Sequence, residues 1–226
     1  MSRELMLQQD PKSPISELFR SLRTNLQFMN RKEDMQTILI TSTMPQEGKS
    51  FISANLAITF AQAGKKVILI DADMRRGRQD HIFNRLPKPG LSNVLVEYQE
   101  EMDLEAYIQE TEVENLSLMT AGDIPPNPSE LLVSEATMNL IKNLKSLYDI
   151  VIVDGPPTEL VTDSLILTTM MDSTVIVALY KGTKRENLKK MIDGIQKVGG
   201  KIAGIVLNKV EMQAKQYREH DYYGSK

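Results

Sequence analysis

A phosphate-binding loop is the first feature of this chain that could do chemistry. Residues 42–50 read STMPQEGKS and lie between an apolar run and a helical pattern, the context that such a loop requires. The backbone N–H groups of the loop and the N-terminus of the following helix would point at nucleotide phosphates. Lys49 would neutralise the β and γ oxygens, and the Ser50 hydroxyl would ligate Mg²⁺. The usual first glycine, five positions before Gly48, is Thr43 here.

Three aspartates follow two other apolar runs. Asp71 and Asp73 come at the end of VILIDAD, and Asp154 ends IVIVD. Because ligand sites of open parallel sheets lie at the carboxyl ends of the strands, we expect these side chains to converge on the phosphates. An acid after a buried strand is a usual place for a magnesium-holding carboxylate. Two carboxylates so close together would also repel each other without a cation.

The elements that must position these residues alternate between strand and helix. Apolar runs of strand character lie at 37–41, 67–71, 116–120, 150–154, 175–179 and 202–208. Helical patterns lie at 50–63, 129–147, 160–171 and 184–198, with Gly64 as a C-terminal cap and Ser129 as a candidate N-cap. Runs that are apolar throughout indicate strands buried on both faces. We therefore predict a single-domain α/β protein of the P-loop NTPase type, with a doubly wound, mostly parallel sheet and helices on both faces.

The first 30 residues contain a further amphipathic helix. Its apolar face is formed by residues at helical spacing: Ile15, Phe19, Leu22, Leu26 and Met29. Its other side carries three charged residues: Glu17, Arg20 and Arg23. From the residues alone, these charges are best explained as pairs within the helix.

The composition excludes several classes of function. The chain has 226 residues, a net charge of −3 and no cysteine. A negative net charge argues against nucleic-acid binding, and the lack of cysteine excludes thiol catalysis and cysteine–zinc sites. His81 and His220 lie too far apart to suggest a histidine metal cluster. Without a signal peptide or an apolar run of about 20 residues, we expect a cytoplasmic protein that reaches the inner face of the membrane only through a partner.

Three tyrosines crowd the polar tail, which we place at 211–226 after a domain of residues 1–210. They are Tyr217, Tyr222 and Tyr223, in a chain that has only seven tyrosines. Exposed aromatic side chains in a tail do not serve a core.

A second unassigned feature is the basic run 75–78, which is either a solvated loop or a binding element for phosphate or the tail. Arg75 is favoured as functional because it abuts the acidic pair.

Taken together, these motifs resemble the bacterial tyrosine kinases, the cytoplasmic enzymes of capsule and exopolysaccharide operons. VILIDADMR is similar to the second Walker motif of that family, and the resemblance extends from SELFRSLRTNLQF through GLSNVL, PPNPSELL, IVIVDGPP and GIVLNKV to the tyrosine tail. The length is similar to that of the free-standing kinases of Firmicutes. The family usually has glycine where this chain has Gln46.

The resemblance implies a role for each site residue. ATP and Mg²⁺ are the expected cofactors, and the nucleotide would contact Gln46, Glu47, Gly48, Lys49, Ser50, Phe51 and Asn208. Ser50 and Asp154 would hold Mg²⁺, with Asp73 supporting it through water. Asp71 would be the base that deprotonates the incoming tyrosine, and Asn208 would contact the adenine.

The resemblance also implies partners. The three charged residues of the first helix match an E-x-x-R-x-x-R element that forms subunit contacts in a homo-oligomeric ring. A neighbouring subunit would phosphorylate the tail tyrosines, and a separate membrane protein would activate the kinase through its cytoplasmic tail. Other protein tyrosines would serve as substrates, and a tyrosine phosphatase would reverse the reaction.

Three other functions are compatible with a phosphate-binding loop but fit the rest of the sequence less well. A Min- or Par-type ATPase switch carries a lysine four residues before the Gly-Lys glycine, where this chain has Met44. A GTPase would have N-K-x-D, where residues 208–211 read NKVE. A catalytically inactive scaffold is disfavoured by the intact lysine and aspartates. The kinase is the preferred interpretation, with the ATPase switch second.

Overall fold

The computed structural model describes residues 4–33 and 35–211, which form a seven-stranded sheet flanked by helices. The strands are β1 Thr37–Ser42, β2 Val67–Asp71, β3 Gln109–Glu110, β4 Leu116–Met119, β5 Ile150–Asp154, β6 Ser173–Leu179 and β7 Ile202–Asn208. The helices are α1 Met6–Gln9, α2 Pro14–Glu33, α3 Lys49–Gln62, α4 Gln79–Phe83, α5 Leu91–Glu97, α6 Pro128–Val133, α7 Glu135–Leu147, α8 Asp163–Thr168 and α9 Arg185–Lys197. A 3-10 turn spans Glu105–Tyr107.

The sheet has the strand order β3-β4-β2-β5-β1-β6-β7. Neighbouring strands are parallel except for β3 and β4. Strands β1, β2 and β5 are buried along their whole length, which is why their sequences are apolar throughout rather than alternating. The predicted doubly wound, mostly parallel α/β fold is confirmed. The sequence analysis missed β3, because a strand of two residues shows no pattern.

One predicted helix is wrong in its extent. Residues 129–147 form two helices, α6 and α7, because Ser134 between them has an extended backbone with ψ 156°. Ser129 is not the N-cap, since α6 already begins at Pro128. Proline suits the first helical position, where the missing N–H would have no partner within the helix. The Ser129 hydroxyl instead donates to Asp163 Oδ1 at 2.6 Å and joins α6 to α8.

Other differences concern short helices. The predicted helix 160–171 is limited to α8, and Leu160 before it is 60% exposed. Helices α1, α4 and α5 were not predicted, because four, five and seven residues are too few to display a helical period. Within the part of the chain that the structure describes, none of the helices is long and apolar enough to cross a bilayer.

Helix α2 packs against α3, the helix that follows the phosphate-binding loop. The two helices form one core with the face of the sheet beneath them. Phe19 and Leu26 are buried there, and the Phe19 ring meets the Phe51 ring edge-on at 5.7 Å between centroids. Met29 is 43% exposed, so the predicted apolar face is shorter by one residue. The opposite side of the sheet has its own core under α5, α6 and α7. Both layers together hold the strand ends in place.

Candidate nucleotide and magnesium site

The loop between β1 and α3 has two residues in the left-handed region. Gly48, the N-cap of α3, has φ 99°, and a Cβ there would lie 2.0 Å from Asn208 Nδ2. Position 48 therefore needs glycine for its conformation and for the close approach of Asn208. Gln46 also has a positive φ, of 65°. That conformation explains why glycine suits this position in the family that the motifs resemble.

The Glu47 carboxylate points into the protein and braces the loop. It is buried and accepts hydrogen bonds from the backbone N–H groups of Thr43 and Met44, at 2.9 and 3.0 Å. The Thr43 hydroxyl donates to it at 3.0 Å. Thr43 stands where such loops usually have their first glycine, and this hydrogen bond gives it a structural role. The Thr183 hydroxyl, beyond β6, also donates to this carboxylate. Any nucleotide contact of Glu47 is therefore left to its backbone.

Asn208 braces the loop from the end of β7. Its Nδ2 donates to the backbone carbonyl of Glu47 at 2.9 Å. Asn208 also lines the large cleft beside the loop. The predicted adenine contact stays a prediction, and the structure adds a second role in holding the loop that the sequence did not indicate.

The structure brings Lys49 and the three aspartates together. Asp71 and Asp154 are paired in the register of β2 and β5, so their side chains leave neighbouring strand ends. Lys49 Nζ lies 3.0 Å from Asp73 Oδ2 and 3.6 Å from Asp154 Oδ1. All four side chains are buried. The site thus concentrates three carboxylates around one ammonium group.

Burial and charge shift the ionisation of this group strongly. Burial lowers the pKa of the Lys49 ammonium, but the charges of the three aspartates outweigh it and raise that pKa above its ordinary value. Burial and the charge of Asp154 raise the pKa of Asp71 to about 7, although nearby N–H groups and Lys49 pull it down. Lys49 therefore stays positively charged, and Asp71 exchanges a proton near neutral pH.

A tight turn after β2 encloses the Asp71 carboxylate. Its Oδ2 accepts from the backbone N–H groups of Arg78 and Gln79 at 2.7 and 2.9 Å, and its Oδ1 accepts from Asp73 N at 3.2 Å. A Cβ at Gly77 would lie 2.9 Å from Asp71 Oδ2. A side chain there would collide with the carboxylate, so the turn fits closely around it.

Gln79 is a site residue that sequence reasoning missed. Its fully buried amide Nε2 donates to Asp154 Oδ2 at 2.8 Å and to the Ser50 carbonyl at 3.1 Å. The Ser53 hydroxyl, also missed, donates toward Asp154 Oδ1 at 3.3 Å. Glutamine after a basic loop carries no motif, so only the folded structure reveals this contact.

The basic run after β2 is divided among different partners. The Arg75 guanidinium pairs with the buried Asp163 carboxylate, with Nε and Oδ2 3.1 Å apart. Arg78 pairs with Glu4 at 3.2 Å. Arg76 is exposed and lines the cleft. All three arginines line the cleft, and Arg75 also joins the turn after β2 to α8.

The loop opens into a cleft of about 1790 Å³. Its lining combines charged and polar residues, such as Lys49, Ser50 and Asp73, with apolar ones, such as Phe51 and Val206. Ligand pockets usually measure about 300–1,000 Å³. The cleft is therefore larger than a typical small-molecule site.

The remaining predicted residues lie elsewhere. Glu17 and Arg20 form an i,i+3 ion pair on the surface of α2. Arg23 Nη1 donates to the Thr59 carbonyl of α3 at 2.7 Å, so it contributes to the packing of its own subunit. The tail tyrosines, Tyr217, Tyr222 and Tyr223, lie outside the described residues.

We expect Thr183→Val to weaken ADP binding about five- to tenfold, because it removes a hydroxyl that donates to the loop-bracing Glu47 carboxylate and accepts from Leu179 N at 2.7 Å. Thr183→Ser keeps that hydroxyl and should bind ADP like the wild type. Isothermal titration calorimetry measures both. Equal affinities in the two variants would contradict a role of the hydroxyl in shaping the loop.

Known proteins are similar to this chain over most of its length. The AAA domain family matches residues 35–207. CapB of Staphylococcus aureus, whose name describes a tyrosine-protein kinase, is 40% identical over 220 residues, covering 97% of this chain and 95% of that protein. The tyrosine-protein kinase YwqD of Bacillus subtilis is 37% identical over 226 residues, or 100% of this chain and 93% of its own. The crystal structure of the chimerical protein CapA2B2 has a TM-score of 0.87 at 40% identity and covers 94% of this chain and 92% of its own. This chain therefore belongs to the AAA domain family and, within it, to the bacterial tyrosine kinases.

Proposed function

We propose that this chain is an ATP-dependent protein-tyrosine kinase that phosphorylates tyrosines of its own tail and regulates capsular or extracellular polysaccharide synthesis. The observation that carries the proposal is the meeting of Lys49, at the start of α3, with Asp71, Asp73 and Asp154 at two adjacent strand ends. This arrangement offers a cation for phosphate oxygens, carboxylates for a metal ion and a base in one place.

Mg²⁺ suits the residues at the loop. The described part of the chain contains no group of three or more His, Cys, Asp or Glu side chains arranged to hold a metal by themselves. Mg²⁺ usually takes one or two carboxylates, waters and substrate phosphates rather than an all-protein cage. Ser50 and Asp154 would hold the ion, with Asp73 acting through water. When bound, the ion would neutralise charge on the transferred phosphoryl group.

Asp71 is well placed to act as the base. Its pKa of about 7 lets it exist as a carboxylate near neutral pH and still accept a proton. The tyrosine oxygen would bond to the γ-phosphorus, the bond from that phosphorus to the β–γ bridging oxygen would break, and ADP would leave. The phenolic proton would pass to Asp71. Lys49 would stabilise the charge on the phosphate oxygens throughout.

The size of the cleft supports a protein substrate. Its volume accommodates a nucleotide beside Lys49 and Ser50 and leaves further space, lined in part by the apolar residues Phe51 and Val206. An ATPase switch has no need for this further space. Met44 stands where that class carries its signature lysine and is 39% exposed, which leaves the kinase as the better-supported function.

We also propose a homo-oligomeric ring that meets a membrane-protein activator at the cytoplasmic face of the membrane. Glu17 and Arg20 form an ion pair on the surface of α2, and two apolar residues of the same helix, Leu18 and Phe28, are 50% and 58% exposed. Large apolar side chains beside a charged pair are suited to a protein contact. Protein tyrosine substrates and an opposing tyrosine phosphatase complete the proposed set of partners.

The first prediction tests the transfer reaction. Lys49→Met should abolish phosphorylation of tyrosine, since the loop has no second cation. Asp71→Asn should lower transfer about 100-fold or more while Mg-ADP binding changes by less than about twofold, because a general base acts on the acceptor. Phosphotyrosine mapping and calorimetry measure these effects.

Lys65→Met is the matched control, because Lys65 is an exposed lysine just beyond the end of α3. It should behave like the wild type in both measurements. Equal loss of nucleotide binding in Lys49→Met and Asp71→Asn would show that Asp71 supports the nucleotide rather than the tyrosine. A wild-type protein with no tyrosine phosphorylation under any activator would rule out the kinase.

The second prediction tests the ring. Arg20→Glu should convert the oligomer into a folded monomer, because it reverses one charge of the exposed pair on α2. Lys12→Glu makes the same change of charge at another exposed residue and should leave the oligomer intact. Arg23 is left unchanged, since its bond to the Thr59 carbonyl joins α2 to α3, whereas the bonds of Arg20 go to Glu17 and to the Pro11 carbonyl just before α2. Light scattering that shows the same oligomer for Arg20→Glu would contradict the proposed interface.

The third prediction tests transfer between subunits. Tyr217 follows Asn208 by nine residues, so an extended chain reaches up to about 30 Å, far enough for an adjacent site. A Lys49→Met chain with an intact tail is mixed with an active chain truncated before Tyr217. Mass spectrometry should find phosphotyrosine on the inactive chain, at Tyr217, Tyr222 or Tyr223. Its absence there, with activity of the truncated chain verified on a tyrosine peptide, would exclude transfer between subunits.

A further inference from the structure

Gln79 makes a set of contacts that the proposed reaction does not yet use. The residue begins α4, and its side chain is fully buried. Its amide contacts Asp154 and the first turn of α3 through the Ser50 carbonyl, while its backbone N–H donates to Asp71 Oδ2. One residue thus joins the proposed metal carboxylate, the proposed base and the phosphate-binding helix.

We propose that Gln79 is a positioning residue that orients the Asp154 carboxylate and the water shell of the bound Mg²⁺. The proposal rests on the Mg-nucleotide function proposed above. It differs from that function because Gln79 would act through Asp154 and metal-bound water, not by touching the nucleotide itself.

The orientation of the amide follows from its two acceptors. Both neighbours of Nε2 are oxygens that only accept, Asp154 Oδ2 at 2.8 Å and the Ser50 carbonyl at 3.1 Å. The NH₂ group must therefore lie on this side, because the carbonyl oxygen of the amide would be repelled there. With Oδ2 held by Gln79, the other oxygen of Asp154 is the one that faces Lys49, at 3.6 Å from Nζ. Gln79 thereby fixes the orientation of the carboxylate, with one oxygen free to face Lys49.

The second observation is an unused acceptor. Among the described residues, Gln79 Oε1 is buried without a hydrogen-bond partner. A buried acceptor without a donor is destabilising, so a donor is expected there in the working protein. Mg²⁺ keeps several of its waters when proteins bind it, and such waters donate to outer-shell acceptors. The amide would hold Asp154 with its NH₂ group and accept from a metal-bound water with its oxygen.

Alternative roles make different predictions about the metal. If Gln79 only packs α4 against α3, its loss would lower stability and weaken nucleotide binding with and without Mg²⁺ alike. If it organises the metal shell, its loss would remove the part of nucleotide affinity that depends on Mg²⁺. Loss of outer-shell partners of metal sites typically lowers metal affinity or activity by about 10–100-fold.

The test measures ADP affinity by calorimetry in Mg²⁺ and in EDTA for the wild type and Gln79→Met. Methionine has a similar length and no amide. We expect Gln79→Met to need about 10–100-fold more Mg²⁺ for the same gain in ADP affinity, with metal-free ADP affinity unchanged. In kinase assays kcat should fall at limiting Mg²⁺ and recover partly at high Mg²⁺, while KM for the tyrosine substrate stays the same.

Gln36→Met is the matched control. The Gln36 amide also donates to two oxygens, the Lys145 and Tyr148 carbonyls at 2.5 and 2.6 Å, before the opposite end of β1. Its replacement also removes two hydrogen bonds donated by a glutamine amide, but away from the loop. It should lower the thermal midpoint and leave the Mg²⁺ dependence of ADP binding as in the wild type.

Gln79→Glu gives a second variant of nearly the same size. A carboxylate there cannot donate to Asp154 and would repel it, so the Mg²⁺ requirement should change at least as much as in Gln79→Met. The proposal is overturned if both variants keep the wild-type Mg²⁺ dependence of ADP binding. It is also overturned if ADP affinity falls by the same factor with and without Mg²⁺, or if neither variant folds, since Gln79 would then serve the fold. A wild type whose ADP affinity ignores Mg²⁺ would instead overturn the proposed magnesium site itself.

Discussion

Three buried carboxylates surround the Lys49 ammonium group, and the arrangement of the site depends on this cluster of charges. Asp71, Asp73 and Asp154 sit at the ends of two adjacent strands, and Lys49 is the cation within 3.6 Å of the latter two. Burial, and after it the charge of Asp154, raise the pKa of Asp71 to about 7. An anionic nucleotide would add to this excess of negative charge. The Mg²⁺ ion proposed above would offset that charge and so strengthen nucleotide binding.

The second constraint is that the phosphate-binding loop must keep its shape. Two side chains hold its backbone through hydrogen bonds. Glu47 occupies the N–H groups of Thr43 and Met44, and Asn208 holds the Glu47 carbonyl. The N–H groups that follow in the loop are therefore the ones left for the proposed phosphate contacts. Since Thr183 and Asn208 come from beyond β6 and from β7, the β7 edge of the sheet takes part in shaping the loop.

The turn after β2 ties the acidic centre to the rest of the molecule. Backbone N–H groups at 78 and 79 hold the Asp71 carboxylate, Arg75 reaches the buried Asp163 of α8, and the Gln79 amide reaches Asp154. A shift of this turn would disturb the contacts of Asp71 and Asp154 together. The relative placement of the proposed base and the proposed metal carboxylate would therefore depend on this turn.

The sequence alone determined the sheet, the phosphate-binding loop and the strand-end aspartates. Fully apolar runs report buried parallel strands directly, and the carboxyl ends of such strands must meet at one edge, so Lys49, Asp71, Asp73 and Asp154 could be grouped before any coordinates were known. Short elements such as β3 and α4 escaped, because they hold too few residues to show a period. Only the tertiary structure decided the bracing role of Glu47, the second role of Asn208 and the presence of Gln79 in the site. The contacts of Gln79 with Asp154, of Thr183 with Glu47 and of Asn208 with the Glu47 carbonyl join residues 75 to 161 positions apart. Such contacts leave no local pattern in the chain, because packing alone selects the partner.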